Sequence, residues 1–147
     1  MTVHPRLEFG NSAKWPNTVV AYTDGASRGN PGPASIGVVI KDSQGEIVYE
    51  YARALGNQTN NYAEYSAVKK ALELAVANHV TELILRSDSE LMIKQMKGEY
   101  KVKSESIKQL YRDCDELRKK IKNILFEHVR REHNKRADEL ANLALDI

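Results

Sequence analysis

The sequence predicts an α/β domain: a mixed five-stranded sheet, three antiparallel strands followed by two parallel additions, flanked by helices. Three observations carry this. Apolar residues alternate with period two from residue 18 to about residue 55, then recur with period 3.6, and the two periods exchange again toward the end of the chain. No repeat or low-complexity linker breaks the pattern. The 147 residues suit one hydrophobic core and leave no room for a second.

Residues 1–17, with Pro5, Gly10, Pro16 and no steady period, read as an N-terminal extension that Trp15 is placed to pin to the core. Residues 18–147 form the domain. Segments 18–26, 34–41 and 46–55 read as strands, the last two joined by Asp42-Ser-Gln-Gly45, whose composition suits a hairpin turn. Residues 60–78 follow as a helix with Val68, Ala71, Leu72 and Ala75 on one stripe and Thr59 or Asn60 as its cap. A short buried strand covers 81–86. Helices at 89–97 and 104–122 are separated by Gly98 and a lysine-rich turn, and the second carries the stripe Ile107, Leu110, Cys114 and Leu117. A strand at 123–130 and a helix at 134–145, rich in small residues, close the chain.

Charge is nearly balanced, 22 Lys and Arg against 20 Asp and Glu, so nucleic-acid binding has to be argued from local clusters. The single cysteine, Cys114, excludes an intramolecular disulfide and a cysteine-built metal site. No segment approaches the ~20 apolar residues of a membrane span, and Met1-Thr-Val-His-Pro lacks the blocks of a signal peptide. The expectation is a cytoplasmic monomer with no protein partner and no membrane contact.

Four carboxylates stand on core-forming elements. Asp24 ends an apolar strand and precedes Gly25; Glu64 shares a helix face with Val68, Ala71 and Ala75. Asp88 lies where a strand passes into a helix, and Asp138 precedes Ala141 and Leu145 on what reads as an inward face. Read singly, each has an ordinary explanation: an Asp-Gly turn, a helix-dipole partner, or an N-cap at Ser87 or Asp88. Read together, two strand ends and two helix starts can bring the acids to one point, where buried carboxylates need a shared cation. Oxygen-only ligands suit magnesium or manganese, and four acids without a dedicated nucleophile suit two-metal phosphoryl transfer.

The surrounding segments are Tyr22-Thr-Asp-Gly-Ala-Ser-Arg-Gly-Asn-Pro-Gly-Pro33, Thr59-Asn-Asn-Tyr-Ala-Glu64, Arg86-Ser-Asp-Ser89 and Asn134-Lys-Arg-Ala-Asp-Glu-Leu-Ala-Asn142, in that order. With them the chain resembles ribonuclease H of the type 1 class over residues 18–143. The resemblance implies the ribonuclease H-like fold and hydrolysis of the RNA strand of an RNA/DNA hybrid, leaving 5′-phosphate and 3′-hydroxyl ends. It places Asp24, Glu64, Asp88 and Asp138 at the family's metal-binding catalytic acids, holding two Mg2+ or Mn2+ ions when substrate is bound. It carries substrate contact over to Gly25, Ser27, Gly29, Asn30, Asn60, Asn61, Ser89 and Arg136. These polar groups and amides suit reading of 2′-hydroxyls across a minor groove, and turn or cap formation is their other role.

The chain departs from the family pattern in four places. Glu90 stands where a glutamine is frequent, and a carboxylate cannot donate to a ribose oxygen. The Arg130-Arg-Glu-His-Asn134 segment replaces a longer glycine-containing loop, which leaves His133 as the candidate catalytic histidine and Arg131 or Glu132 as substitutes. Only Lys94, Lys97, Lys101 and Lys103 stand in for a basic protrusion, and residues 1–17 are expected to be too few to form the hybrid-binding domain that precedes the catalytic domain in some relatives. Modest affinity and distributive cleavage are the consequence. A silent hybrid-binding module and a nuclease for double-stranded RNA are the alternatives.

Overall fold

The computed structural model describes residues 6–10 and 14–147. The elements run β1 Arg6–Gly10, β2 Thr18–Ser27, β3 Gly32–Lys41, β4 Ile47–Gln58, α1 Asn60–Ala77, β5 Glu82–Ser87, α2 Glu90–Met96, α3 Glu105–Arg118, β6 Asn123–His128, a 3₁₀ turn Arg131–His133, and α4 Lys135–Asp146. One sheet holds the strands in the order β1-β4-β3-β2-β5-β6. The pairs β2·β5 and β5·β6 are parallel and the others antiparallel.

The sheet therefore has six strands, not five. The added one is β1, five residues of the supposed extension, which pairs with the free edge of β4 from Arg6↔Arg53 to Gly10↔Tyr49. Only Leu7 and Phe9 mark its alternation, so the pairing is set by the open edge of β4 rather than by a pattern in the segment. Residues 1–5, with His4, and residues 11–13 of the extension lie outside the described residues. Trp15 is buried in the main core, its ring 5.6 Å from that of Tyr49.

The remaining elements follow their local chemistry. Asp42 closes the β3–β4 hairpin, its Oδ1 accepting from the N–H groups of Gln44 and Glu46 at 2.9 Å. Thr59 Oγ1 accepts from Tyr62 N at 3.1 Å and starts α1. Helix α3 stops at Arg118 rather than residue 122. There the Lys120 and Ile121 amides turn to the carbonyls of Leu117 and Arg118, which tightens the chain and buries Ile121 ahead of β6.

Alternation along the strands separates two apolar layers. Val19, Ala21, Ile36, Val38 and Ile40 join Val68 and Leu72 of α1 in the larger one. Val39 and Ala52 meet Ala137, Leu140 and Ala144 of α4 in the smaller one. Among the described residues no helix is long and apolar enough to cross a membrane.

Candidate active site

Two glycines bring helices onto the end of β2 from opposite faces. A Cβ at Gly25 would overlap the backbone of Ala63 and Glu64, so the first turn of α1 lies directly on that strand. A Cβ at Gly37 would overlap the Ala137 carbonyl of α4, and Gly37 is the antiparallel partner of Asp24. Asp24 thus sits beneath the first turn of α4, and Glu64 reaches the same strand end from α1. The parallel pairing of Thr23 with Ser87 delivers Asp88 as the next residue on the neighbouring strand.

Asp24, Glu64 and Asp88 come together: one carboxylate oxygen from each lies within 4.8 Å of the others. Asp24 and Glu64 are buried and Asp88 is half-buried. Asp138 departs from the inward position read from its neighbours, because it is exposed at the rim on the first turn of α4. It still reaches the cluster, sharing a hydrogen bond with Asp24.

The electrostatics are those of unpaired negative charge. Burial, then the charges of Asp88 and Asp138, pushes the Asp24 carboxyl from its ordinary 3.8 up to about 8. Glu64 is held well above the ordinary range, by burial first and then by Asp24 and Asp88, although the Gly25 backbone N–H donates to it. Burial also raises Asp88, against which Arg131 acts. The exposed Arg131 guanidinium, on the 3₁₀ turn, favours the charged form of all three acids. His128, at the end of β6, also acts to lower the Asp88 carboxyl.

Glu64 Oε2 is buried and has no hydrogen-bond partner among the described residues. An orphaned carboxylate oxygen within a cluster of like charges and oxygen-only donors fits a hard divalent cation. Asp24, Glu64 and Asp88 would hold it, with Asp138 adding an exposed oxygen at the rim.

Asn134 is a residue that the sequence reading passed over. It is 1% exposed, its Nδ2 donates to the Thr23 carbonyl at 2.9 Å, and its side chain also hydrogen-bonds Asp88. It ties α4 to the strand that carries Asp24. Asn134→Ala is expected to lower turnover about tenfold and stability by about 1 kcal/mol, read by cleavage rate and thermal melting.

The other sequence candidates form a brace around the acids. Ser27 donates to the carbonyls of Gly29 and of Gln58, the latter at 2.9 Å, and fixes the turn after β2. Asn30 Oδ1 accepts from Asn60 N at 3.0 Å, joining that turn to the start of α1. Gly29 takes φ 108°, a region that favours glycine. Asn60 is exposed and Asn61 half-buried beside the turn. Ser89 caps α2 through Met92 N. Arg136 grips the buried Glu50 with two hydrogen bonds, 2.6 and 3.1 Å, and so clamps α4 to β4. His133 is exposed and lines, with Tyr22, Lys41 and Lys135, a cleft beside the α4 start rather than the acid cluster.

A mixed sheet whose central antiparallel strand and parallel neighbour meet two helix starts in a cluster of oxygen donors defines a ribonuclease H-like α/β domain. Comparison with known proteins gives the family. The family model described as reverse transcriptase-like matches residues 22–144. The chain is 43% identical over 128 residues to Ribonuclease HI of Halobacterium salinarum, covering 87% of this chain and 64% of that one. It is 38% identical to Ribonuclease H of Clostridium botulinum, covering 87% of this chain and 95% of that one. The solved structure of LC11-RNase H1 in complex with RNA/DNA hybrid is similar with a TM-score of 0.82 at 42% identity, over 88% of this chain and 97% of that one. The chain belongs to the ribonuclease H family, type 1 class. It spans only 35% of the length of mycobacterial relatives that are 40% identical to it.

Proposed function

We propose that the chain is a metal-dependent endonuclease that hydrolyses the RNA strand of RNA/DNA hybrids, leaving 5′-phosphate and 3′-hydroxyl ends. The observation that carries this reading is the buried acid cluster with its orphaned Glu64 oxygen, in a chain similar over most of its length to proteins named ribonuclease H. Asp24, Glu64, Asp88 and Asp138 would hold two magnesium or manganese ions, whose chemistry there would be to lower the pKa of an attacking water and to neutralise charge at the leaving oxygen.

The chain's own groups do the rest. Burial of Asp24 and Glu64 removes water from the oxygens that would hold the cation, which strengthens every charge interaction there. Asn134 and the Gly25 N–H fix the orientation of Asp88 and Glu64. Arg131 presents positive charge to the same point and balances an entering phosphodiester. The braced turn at residues 27–30, with Asn60 and Asn61, offers a rigid polar edge to 2′-hydroxyls, the group that distinguishes RNA from DNA. We take the protein to act as a monomer in the cytoplasm, where a lone buried thiol such as Cys114 stays reduced.

The test is cleavage of end-labelled RNA/DNA hybrid, RNA/RNA duplex and single-stranded RNA, each with magnesium, manganese or chelator. The expected result is metal-dependent cutting of the hybrid's RNA strand, with a 5′-phosphate on the downstream product. Hybrid binding without cutting in either metal would overturn the reading in favour of a silent binder. Equal cutting of RNA/RNA would overturn its specificity.

A further inference from the structure

Past the acid cluster, β2 leads into an exposed turn with an arginine at its start. Arg28 Nη1 pairs with Asp146 Oδ1 at 2.8 Å, and both side chains are about half exposed, 48% and 58%. Its backbone is fixed, because Arg28 N donates to the Pro33 carbonyl at 2.8 Å and Ser27 braces the same turn. Only the guanidinium is left to choose a partner.

The position of Asp146 is as telling. Asp138, Asn142 and Asp146 follow one another at intervals of four along α4 and so share one stripe of that helix. Asn142 Nδ2 donates to the Asp138 carbonyl at 3.0 Å. The stripe starts at the rim of the acid cluster and ends about 12 Å away at Arg28, from the rise of an α-helix. Just beyond β2, Arg28 lies four residues past Asp24, about 13 Å by strand rise, close to the axial advance of four nucleotides on one nucleic-acid strand. Arg28 and the acids therefore share an edge, at a spacing that a single strand spans.

An exposed ion pair is worth little, whereas an arginine fork matches a phosphate's oxygens and gains from counterion release. We propose that Arg28 is a phosphate contact for the nucleic acid a few nucleotides from the cleaved bond, and that Asp146 occupies it in the free protein as a competing anion. Binding exchanges a carboxylate for a phosphate on the same guanidinium. The acid at the end of α4 thus weakens substrate grip without touching the acid cluster. This inference rests on the hybrid being the substrate.

The experiment is hybrid binding by the full chain in chelator, over a salt series, for wild type, Asp146→Asn, Arg28→Gln and the double variant. Asp146→Asn is expected to tighten the Kd about threefold, the size of a surface ion pair. Arg28→Gln is expected to weaken binding and lower the salt slope by about 0.9, one phosphate contact. In the double variant the gain from Asp146→Asn should vanish. The same gain with and without Arg28 would show general charge repulsion and overturn the exchange, as would an unchanged salt slope in Arg28→Gln. Failure of wild type to bind any hybrid would overturn both this inference and the substrate reading. Wild-type binding with a flat cycle overturns this inference alone.

Discussion

Asp24→Asn is expected to abolish metal-dependent cleavage, with a loss of about 10³-fold or more, while making the metal-free protein more stable at pH 8. The substitution keeps shape and removes the charge at the centre of the cluster. In the metal-free fold this carboxyl is pushed from 3.8 up to about 8, so the folded state holds a proton that the unfolded chain has already released. Its stability contribution is intact below the unfolded value and is lost as pH rises from about 4 to about 8. The variant should therefore melt as wild type does near pH 4 and gain on the order of 2 kcal/mol near pH 8, about 6 °C in Tm. Magnesium should erase the difference by stabilising wild type. Loss of activity joined to a gain in stability excludes misfolding as the cause, and a variant less stable than wild type at pH 8 in chelator would contradict the burial argument.

Gly37→Ala is expected to cost about 3 kcal/mol and most of the activity, although the residue touches no substrate in this account. Its Cβ would be driven into the Ala137 carbonyl and toward the Ala141 amide, both helix backbone that cannot rotate away. Helix α4 must lift from β3, and with it go Asp138, the Asn134 hydrogen bond to Thr23, the Arg136 grip on Glu50 and the Ser35 hydroxyl bond to the Ala141 carbonyl. Gly25→Ala should act the same way on Glu64, through the Ala63–Glu64 peptide. A melt within about 1 kcal/mol of wild type for Gly37→Ala would show that α4 can shift freely, against the packing described.

Much of this was legible in the chain. Asp24, Glu64 and Asp88 stood out because acids interrupted apolar periods, and the structure brings them within 4.8 Å. Asp42, Thr59 and the α1 stripe also behaved as local rules require. What escaped had no local signal. Strand β1 is specified by the open edge of β4, far away in sequence, and its five residues are too few to announce themselves. Asp138 appeared inward from its spacing to Ala141, yet the first turn of α4 extends past the sheet edge and leaves it exposed. Asn134 stood only at the start of the expected last helix, with nothing to show that its side chain turns inward to Thr23 and makes no cap bond. Gly37 carried one usable hint, a glycine within an apolar strand, which marks close backbone approach without saying what approaches.

Whether the buried acids form a cation cage is read most directly by calorimetric Mn2+ titration of wild type and Glu64→Gln at pH 6 and pH 8. Wild type is expected to bind the ion more tightly at pH 8, releasing protons at pH 6, because Asp24 and Glu64 hold protons that the metal must displace. Glu64→Gln should lose most of that affinity and its pH dependence. Binding that is independent of pH and unaffected by Glu64→Gln would place the metal elsewhere and rule out a cage built from these acids.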